Sequence, residues 1–333
     1  MKRWLDRLLG SDSEESKPAP APVVPVPAPA RVRAPDPVHA QQVDALFYRW
    51  LAGITPNSGA SSDEKIILVD LAYMGQLPMN EITLAPSMPA LFPHLLRSMR
   101  DSTVSGADLA RQLSQDKELE AEILREANRP CHHPHYHTND PVTTVERATM
   151  LLGVNGLRML VGRAALLPTI ISMTPGPFSQ LSTPLLWRQC EKCALAASVL
   201  APAVRANPVE AYFAGLLYNL GLIVCFRLLD QVNTEPALPQ SEGFIIALHA
   251  QARALSVRIA KAWDFPVTVV SAIEQAGQPD GTPLSQALAL GDMISRLRML
   301  VDSAHFEQDD PFVLEGLDAA GLACFDELQN EDE

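Results

Sequence analysis

"SGADLARQLSQDKELEAEILREAN", residues 105–128, is the stretch whose reading decides the fold class. Ser105 and Asp108 stand in capping-box spacing, which satisfies amide donors at a helix start. Leu109, Leu113, Ile123 and Leu124 recur at helical period and are predicted to point inward. The same grammar continues on both sides. "VDALFYRWL" places Val43, Leu46, Phe47, Trp50 and Leu51 at i, i+3, i+4, i+7 and i+8, the pattern of a core-facing helix.

Capping signals mark further helices. In "SSDE", residues 61–64, Ser62 is a cap candidate and Asp63 and Glu64 suit a positive first turn. In "NPVE", residues 207–210, Asn207 is the N-cap, Pro208 stands at N1 and Glu210 at N3. A helix is predicted over 184–201, stopped by Pro202. No pair of alternating strands is found, and aromatics make up 6% of a chain dominated by Ala and Leu, which favours helix over strand. The expected fold class is all-α.

The chain divides by composition. Residues 1–16 open with "MKRWLDRLL", which puts Trp4, Leu5, Leu8 and Leu9 on one helical face; it is a weak docking candidate for a partner or an anionic membrane surface, and too short to hold a helix alone. Residues 17–38 carry proline at nearly every second position, which withholds amide donors and favours an extended tether. Residues 39–79 form a helical extension and 80–300 the main domain. Residues 301–333 form an acidic C-terminal tail. Beyond Arg298 there is no Lys or Arg, while 302–333 hold eleven acidic residues, most of the net charge of −13. Such a tail repels phosphate backbones, so no direct nucleic-acid partner is expected.

Five cysteines, an odd number without framework spacing, point to a reducing cytoplasm. "CEKC" at 190–193 sets Cys190 and Cys193 one helical turn apart, without the strand–helix context of a redox motif, and is read as core packing. The apolar run "MLLGVNGLRMLVGRAALLPTII", 150–171, carries Arg158 and Arg163 and is read as a buried helix pair; no transmembrane segment is expected.

In order and spacing, several stretches together resemble the HD-related output domain (HDOD) family. Within "LAPSMPALFPHLLRSMRDSTVSGADLARQLSQDKELEAEILREAN", Asp116, Leu119, Ile123, Leu124, Ala127 and Asn128 fall on one signature. "VTTVERATMLLGVNGLRML" supplies Val145, Ala148, Leu152 and Gly153 for the next. The resemblance runs on through "LLWRQCEKCALAASVLA", "AYFAGLLYNLGLIV" and "EGFIIALHAQARALSVRIAKAWDFPVTVVSAI", with Glu242, His249, Trp263 and Pro266 in place. It covers about 83–295.

The resemblance implies descent from HD phosphohydrolases, in which His and Asp side chains from several helices hold metal ions that activate water for phosphate hydrolysis. Here the first His position is Gln189 or its neighbour Cys190. The adjacent His-Asp pair is Tyr218-Asn219, while Asp292 and His249 keep ligand-type side chains. A phenol is a poor neutral-pH ligand and an amide lacks the carboxylate charge. The resemblance therefore implies a signalling module that binds a protein partner without catalysis or cofactor, with Gln189, Tyr218, Asn219, His249 and Asp292 around a vestigial pocket that could take a small ligand. The alternative is a metal-dependent phosphohydrolase acting on a nucleotide or cyclic dinucleotide.

A second constellation, "RPCHHPHYHTNDP", gathers Cys131, His132, His133, His135 and His137 in a proline-broken loop between two helices. It is a weak candidate metal site. The plainer reading is a polar loop lying over the domain.

Overall fold

The computed structural model describes residues 34–53, 62–100, 110–111, 113–114, 117–128, 141–172, 176–233 and 237–329. All regular structure among them is helical, as the sequence predicts. The docking peptide, most of the proline tether, Ser105, Asp108, Leu109, Asp116 and the loop from Cys131 to His137 lie outside the described residues.

The helices are α1 (Pro37–Ala52), α2 (Ser62–Met74), α3 (Phe92–Arg100), α4 (Lys117–Ala127), α5 (Val145–Ile171), α6 (Pro177–Leu200), α7 (Pro208–Tyr218), α8 (Leu220–Val232), α9 (Glu242–Ala262), α10 (Val267–Gln275), α11 (Pro283–Asp302), α12 (Pro311–Leu314) and α13 (Ala319–Glu327). α1 starts because the Asp36 carboxylate accepts from the amides of Val38 and His39 while Pro37 sits where no donor is needed. It buries Val43, Phe47 and Tyr48. α2 begins at Ser62 itself. α7 begins as its sequence announces, with the Asn207 side chain accepting from Val209 and Glu210.

α6 is the hub, packed against α7, α8 and α11, and α1 lies across α6, α9 and α11. It starts at Pro177, seven residues before the predicted 184, because Pro184 is accommodated inside the helix. Two glycines set how closely its neighbours approach. A Cβ on Gly215 would lie 2.6 Å from Ala194 Cα, and one on Gly291 2.8 Å from the Ala197 nitrogen, so α7 and α11 pack directly on the α6 backbone. Those contacts fix the ends of α7 and α11 around Gln189. Cys190 and Cys193 are fully buried there, and burial raises both thiols above their ordinary range, as suits core residues.

The predicted helix pair at 150–171 is one continuous assignment with a break. Gly153 takes φ 70° and ψ 171°, a conformation that kinks α5. Although neither is free of charged residues, α5 and the Pro208–Val232 stretch are long and apolar enough to cross a membrane by length and composition alone. The second is wholly buried among other helices of the core. α5 is partly buried, and Arg158 binds the Ser98 carbonyl while Arg163 pairs with Glu191.

The acidic C-terminal segment folds back. α13 buries Cys324 and Phe325 in a cluster with Ala196, Leu290 and Ile294. Lys192 donates to the Leu328 carbonyl, and the Arg298 guanidinium lies 4.8 Å from the Phe325 ring centre. Charge counting alone hid this, because the anchoring residues are few and interleaved with acids.

Candidate functional site

Three of the five residues implied by the resemblance meet side by side. Asn219 ends α7 and opens α8, so its side chain projects from a break between two helices. Its Nδ2 donates to Gln189 Oε1 and to Asp292 Oδ1, both at 2.8 Å. Gln189 on α6 donates from Nε2 to Asp292 Oδ1 at 2.8 Å and to Ser295 Oγ at 3.0 Å. The Ser295 hydroxyl in turn donates to the Asp292 carbonyl at 2.8 Å. Gln189, Asn219 and Asp292 are all buried.

The other side of this network is a cation supplied by the chain. Arg296 lies one turn after Asp292 on α11 and is 2% exposed. Its guanidinium reaches Asp292 Oδ2 and Asn219 Oδ1, each at 3.1 Å, and pairs with Asp44 from α1. The Phe47 ring centre lies 5.4 Å from the guanidinium carbon. Burial opposes the charge, but the Asp292 and Asp44 carboxylates outweigh it and raise the Arg296 pKa, so the group stays protonated.

This donor set does not fit the metal that the resemblance implies. It offers one carboxylate and two amide oxygens, and those oxygens already accept hydrogen bonds. A divalent ion needs several free anionic or imidazole donors converging on open space. Here they converge on a guanidinium. Among the described residues no group of three or more His, Cys, Asp or Glu could hold an ion.

Tyr218 and His249 stand apart from the network. The Tyr218 ring lies under the Arg253 guanidinium at 5.6 Å, and its carbonyl accepts from Ser256 Oγ at 2.7 Å. The same hydroxyl accepts from the Gly221 amide at 2.9 Å, pinning the α7–α8 break to α9. Burial raises the Tyr218 phenol above its ordinary value, so it is a neutral group. His249 on α9 has its Nε2 buried without a partner. Burial first, and then the Arg296 and Arg253 charges, lower its pKa to about 3, against the opposing pull of Asp292. His249 is thus a neutral imidazole at ordinary pH.

His249 and Asp44 form the floor of a cavity of ≈ 700 Å³ between α1 and α9, beside the network rather than in it. Sequence reasoning missed Asp44, Phe47, Arg253, Ser295 and Arg296. The one available signal was the i, i+4 spacing of Asp292 and Arg296 on a predicted helix.

Asn128 has a plain structural reason to stand in the family signature. Its side chain donates to the Val142 carbonyl at 2.9 Å and accepts from the Val142 amide at 2.7 Å. It thereby clamps together the two chain positions that flank the histidine-rich loop.

Comparison with known proteins agrees with this fold. Residues 85–279 match the HDOD domain. Three crystal structures are similar. One is an HDOD domain protein of unknown function from Geobacter sulfurreducens, with 19% identity, TM-score 0.52, and coverage of 79% of this chain and 94% of its own. A second, from Shewanella amazonensis SB2B, carries the name of a metal-dependent phosphohydrolase, with 17% identity, TM-score 0.53, and coverage of 80% and 98%. A third, from Marinobacter aquaeolei VT8, carries the name of a signal transduction protein, with 21% identity, TM-score 0.54, and coverage of 84% and 65%. At these identities the likeness speaks for the fold alone. No curated protein matches. The matched domain spans more than half of the chain, and the chain belongs to the HDOD family.

Proposed function

We propose that this chain is a non-catalytic regulatory module of a cytoplasmic signalling pathway, acting by non-covalent association with a protein partner. One observation carries the reading. Asn219 and Asp292, two of the residues that the resemblance sets among the metal ligands, converge on the Arg296 guanidinium, whose charge is balanced within the protein by Asp292 and Asp44. A site already neutralised by its own guanidinium has no Lewis acid to polarise a phosphate and no metal-bound water to attack it. Association is supported by α2, where Ile66, Val69 and Tyr73 are 58%, 66% and 64% exposed on a single helix.

The test is elemental analysis of tag-free protein purified without chelator, together with hydrolysis of bis(p-nitrophenyl) phosphate in the presence of manganese, zinc or iron. We expect neither bound metal nor turnover. A metal ratio near one, with turnover lost on His249→Ala or Asp292→Ala, would replace this reading with the phosphohydrolase alternative. Because the cysteine–histidine loop could hold an ion of its own, a metal-positive result is resolved by substituting Cys131, His132, His133, His135 and His137. Metal that disappears with those residues, without any turnover, leaves the proposal standing.

A further inference from the structure

The cavity between α1 and α9 differs in kind from the closed polar network behind it. Its volume of ≈ 700 Å³ falls in the range of small-molecule sites. One wall is apolar, built from Leu46, Ile245, Ile246 and Phe312, and it continues onto Val38 at the mouth. Val38 and Ile246 are 65% and 45% exposed, so apolar surface is left open to water at the entrance.

The polar lining is unevenly committed. Asp44 faces the cavity, but its carboxylate is taken by Arg296. Arg49 and Arg253 also line it, and neither has an ion-pair partner among the described residues. Arg253 spends one nitrogen on the Ala276 carbonyl, and its Nε is buried without a partner, as is His249 Nε2. The only uncommitted acid is Glu242, which sits exposed in the first turn of α9. Two guanidiniums without an ion-pair partner among the described residues and an unpartnered imidazole Nε2, beside an apolar wall, are complementary to one chemical class.

We propose that this cavity binds a small anionic amphiphile, with a carboxylate or phosphate head at Arg49 and Arg253 and an apolar body along Ile245, Ile246 and Phe312. The inference names a ligand for the regulatory module proposed above and rests on that reading. It also moves the ligand site outward from the vestigial centre, to a place that Asp44 and His249 line.

The experiment uses the full chain and the fluorescent sulfonate 8-anilinonaphthalene-1-sulfonate, with decanoate, decyl phosphate and decyltrimethylammonium as competitors. We expect saturable one-to-one binding, displaced by one or both of the anionic amphiphiles and not by the cation. Decanoate against decyl phosphate identifies the head group. Arg49→Glu and Ile246→Asp, both at partly exposed positions compatible with folding, should each weaken binding about tenfold while thermal unfolding stays as in the wild type. Displacement by the cation as readily as by decanoate would overturn the proposal, as would unchanged affinity in both variants. Should the chain prove to hydrolyse bis(p-nitrophenyl) phosphate and still bind decanoate through Arg49, the functional reading fails and the ligand site survives.

Discussion

At the scale of single residues, Arg296 and His249 behave oppositely although both feel the Asp292 charge. Arg296 is charged and compensated, so removing it strands two carboxylates. Arg296→Ala should destabilise the protein by about 3–5 kcal/mol, the usual consequence of breaking a buried pair from one side. Chemical denaturation measures it. Arg296→Met combined with Asp292→Asn should recover part of that loss, because fewer charges are then left unpaired. If the double variant is as unstable as the single one, packing rather than charge is what Arg296 supplies. His249 is instead buried neutral, with a pKa lowered to about 3. Between that value and the ordinary histidine range near 6.5, the unfolded chain takes up a proton that the folded chain excludes. Stability from this group is therefore complete above about pH 6.5 and is lost as pH falls toward 3. Unfolding curves at pH 6.5 and 5 should show His249→Gln reducing the pH dependence by about one proton; an unchanged slope would mean that His249 is solvated.

The same scale shows what was legible. Gln189, Asn219 and Asp292 lie 30 and 73 positions apart in sequence, were grouped only by the resemblance, and are hydrogen-bonded to one another in the structure. His249 and Tyr218 were grouped with them, but His249 lines the neighbouring cavity and the Tyr218 ring packs under Arg253. Helical register places a residue on an element; it does not say which of two adjoining spaces the side chain enters. Arg296 escaped notice because a buried arginine has no periodic signature, and its partner Asp44 comes from a helix that the family signature does not include.

At the scale of elements, the helix start at Asn207 was readable because a polar side chain caps it, and the start at Gly176 before α6, which has no side-chain cap, was not. Close helix approach was not readable at all, since a glycine in a helical pattern looks like a weakness until its neighbour is known. Two glycines make the contrast testable. Gly215→Ala forces a Cβ to 2.6 Å from Ala194 Cα and 2.7 Å from its nitrogen, both backbone atoms with no room to yield. It should destabilise by about 1–3 kcal/mol and disturb the α6–α7 crossing that presents Asn219. Gly243, in the first turn of α9, has nothing within 4 Å of its would-be Cβ and no positive φ. Gly243→Ala should leave stability unchanged or raise it by up to about 1 kcal/mol. Thermal unfolding of the pair distinguishes them, and equal effects would contradict the close α6–α7 packing.

At the scale of the whole molecule, the question is where the cooperative unit ends. The family match stops at residue 279, and the charge pattern marked residues 301–333 as an acidic C-terminal tail. The packing argues otherwise. α11 carries Asp292, Ser295 and Arg296 on one side and leans on α13 with the other, where Phe325 is 1% exposed and stacks below Arg298. Lys192, from the same helix as Gln189, places its ammonium on the Leu328 carbonyl and 3.3 Å from Asp302. The C-terminal helices therefore brace both α6 and α11, the two elements that hold the polar network. Phe325→Ala should cost about 3–5 kcal/mol, as for an aromatic removed from a core, although it lies outside the family signature. Truncation after Ser303 should lower the unfolding midpoint further, since it also takes the Leu328 carbonyl from Lys192 and the Phe325 ring from Arg298, leaving both side chains with Asp302. The same truncation should weaken amphiphile binding directly as well, because it removes Phe312 from the apolar wall of the cavity. A truncated chain that melts like the full one, with a single transition, would return α12 and α13 to the status of an acidic tail.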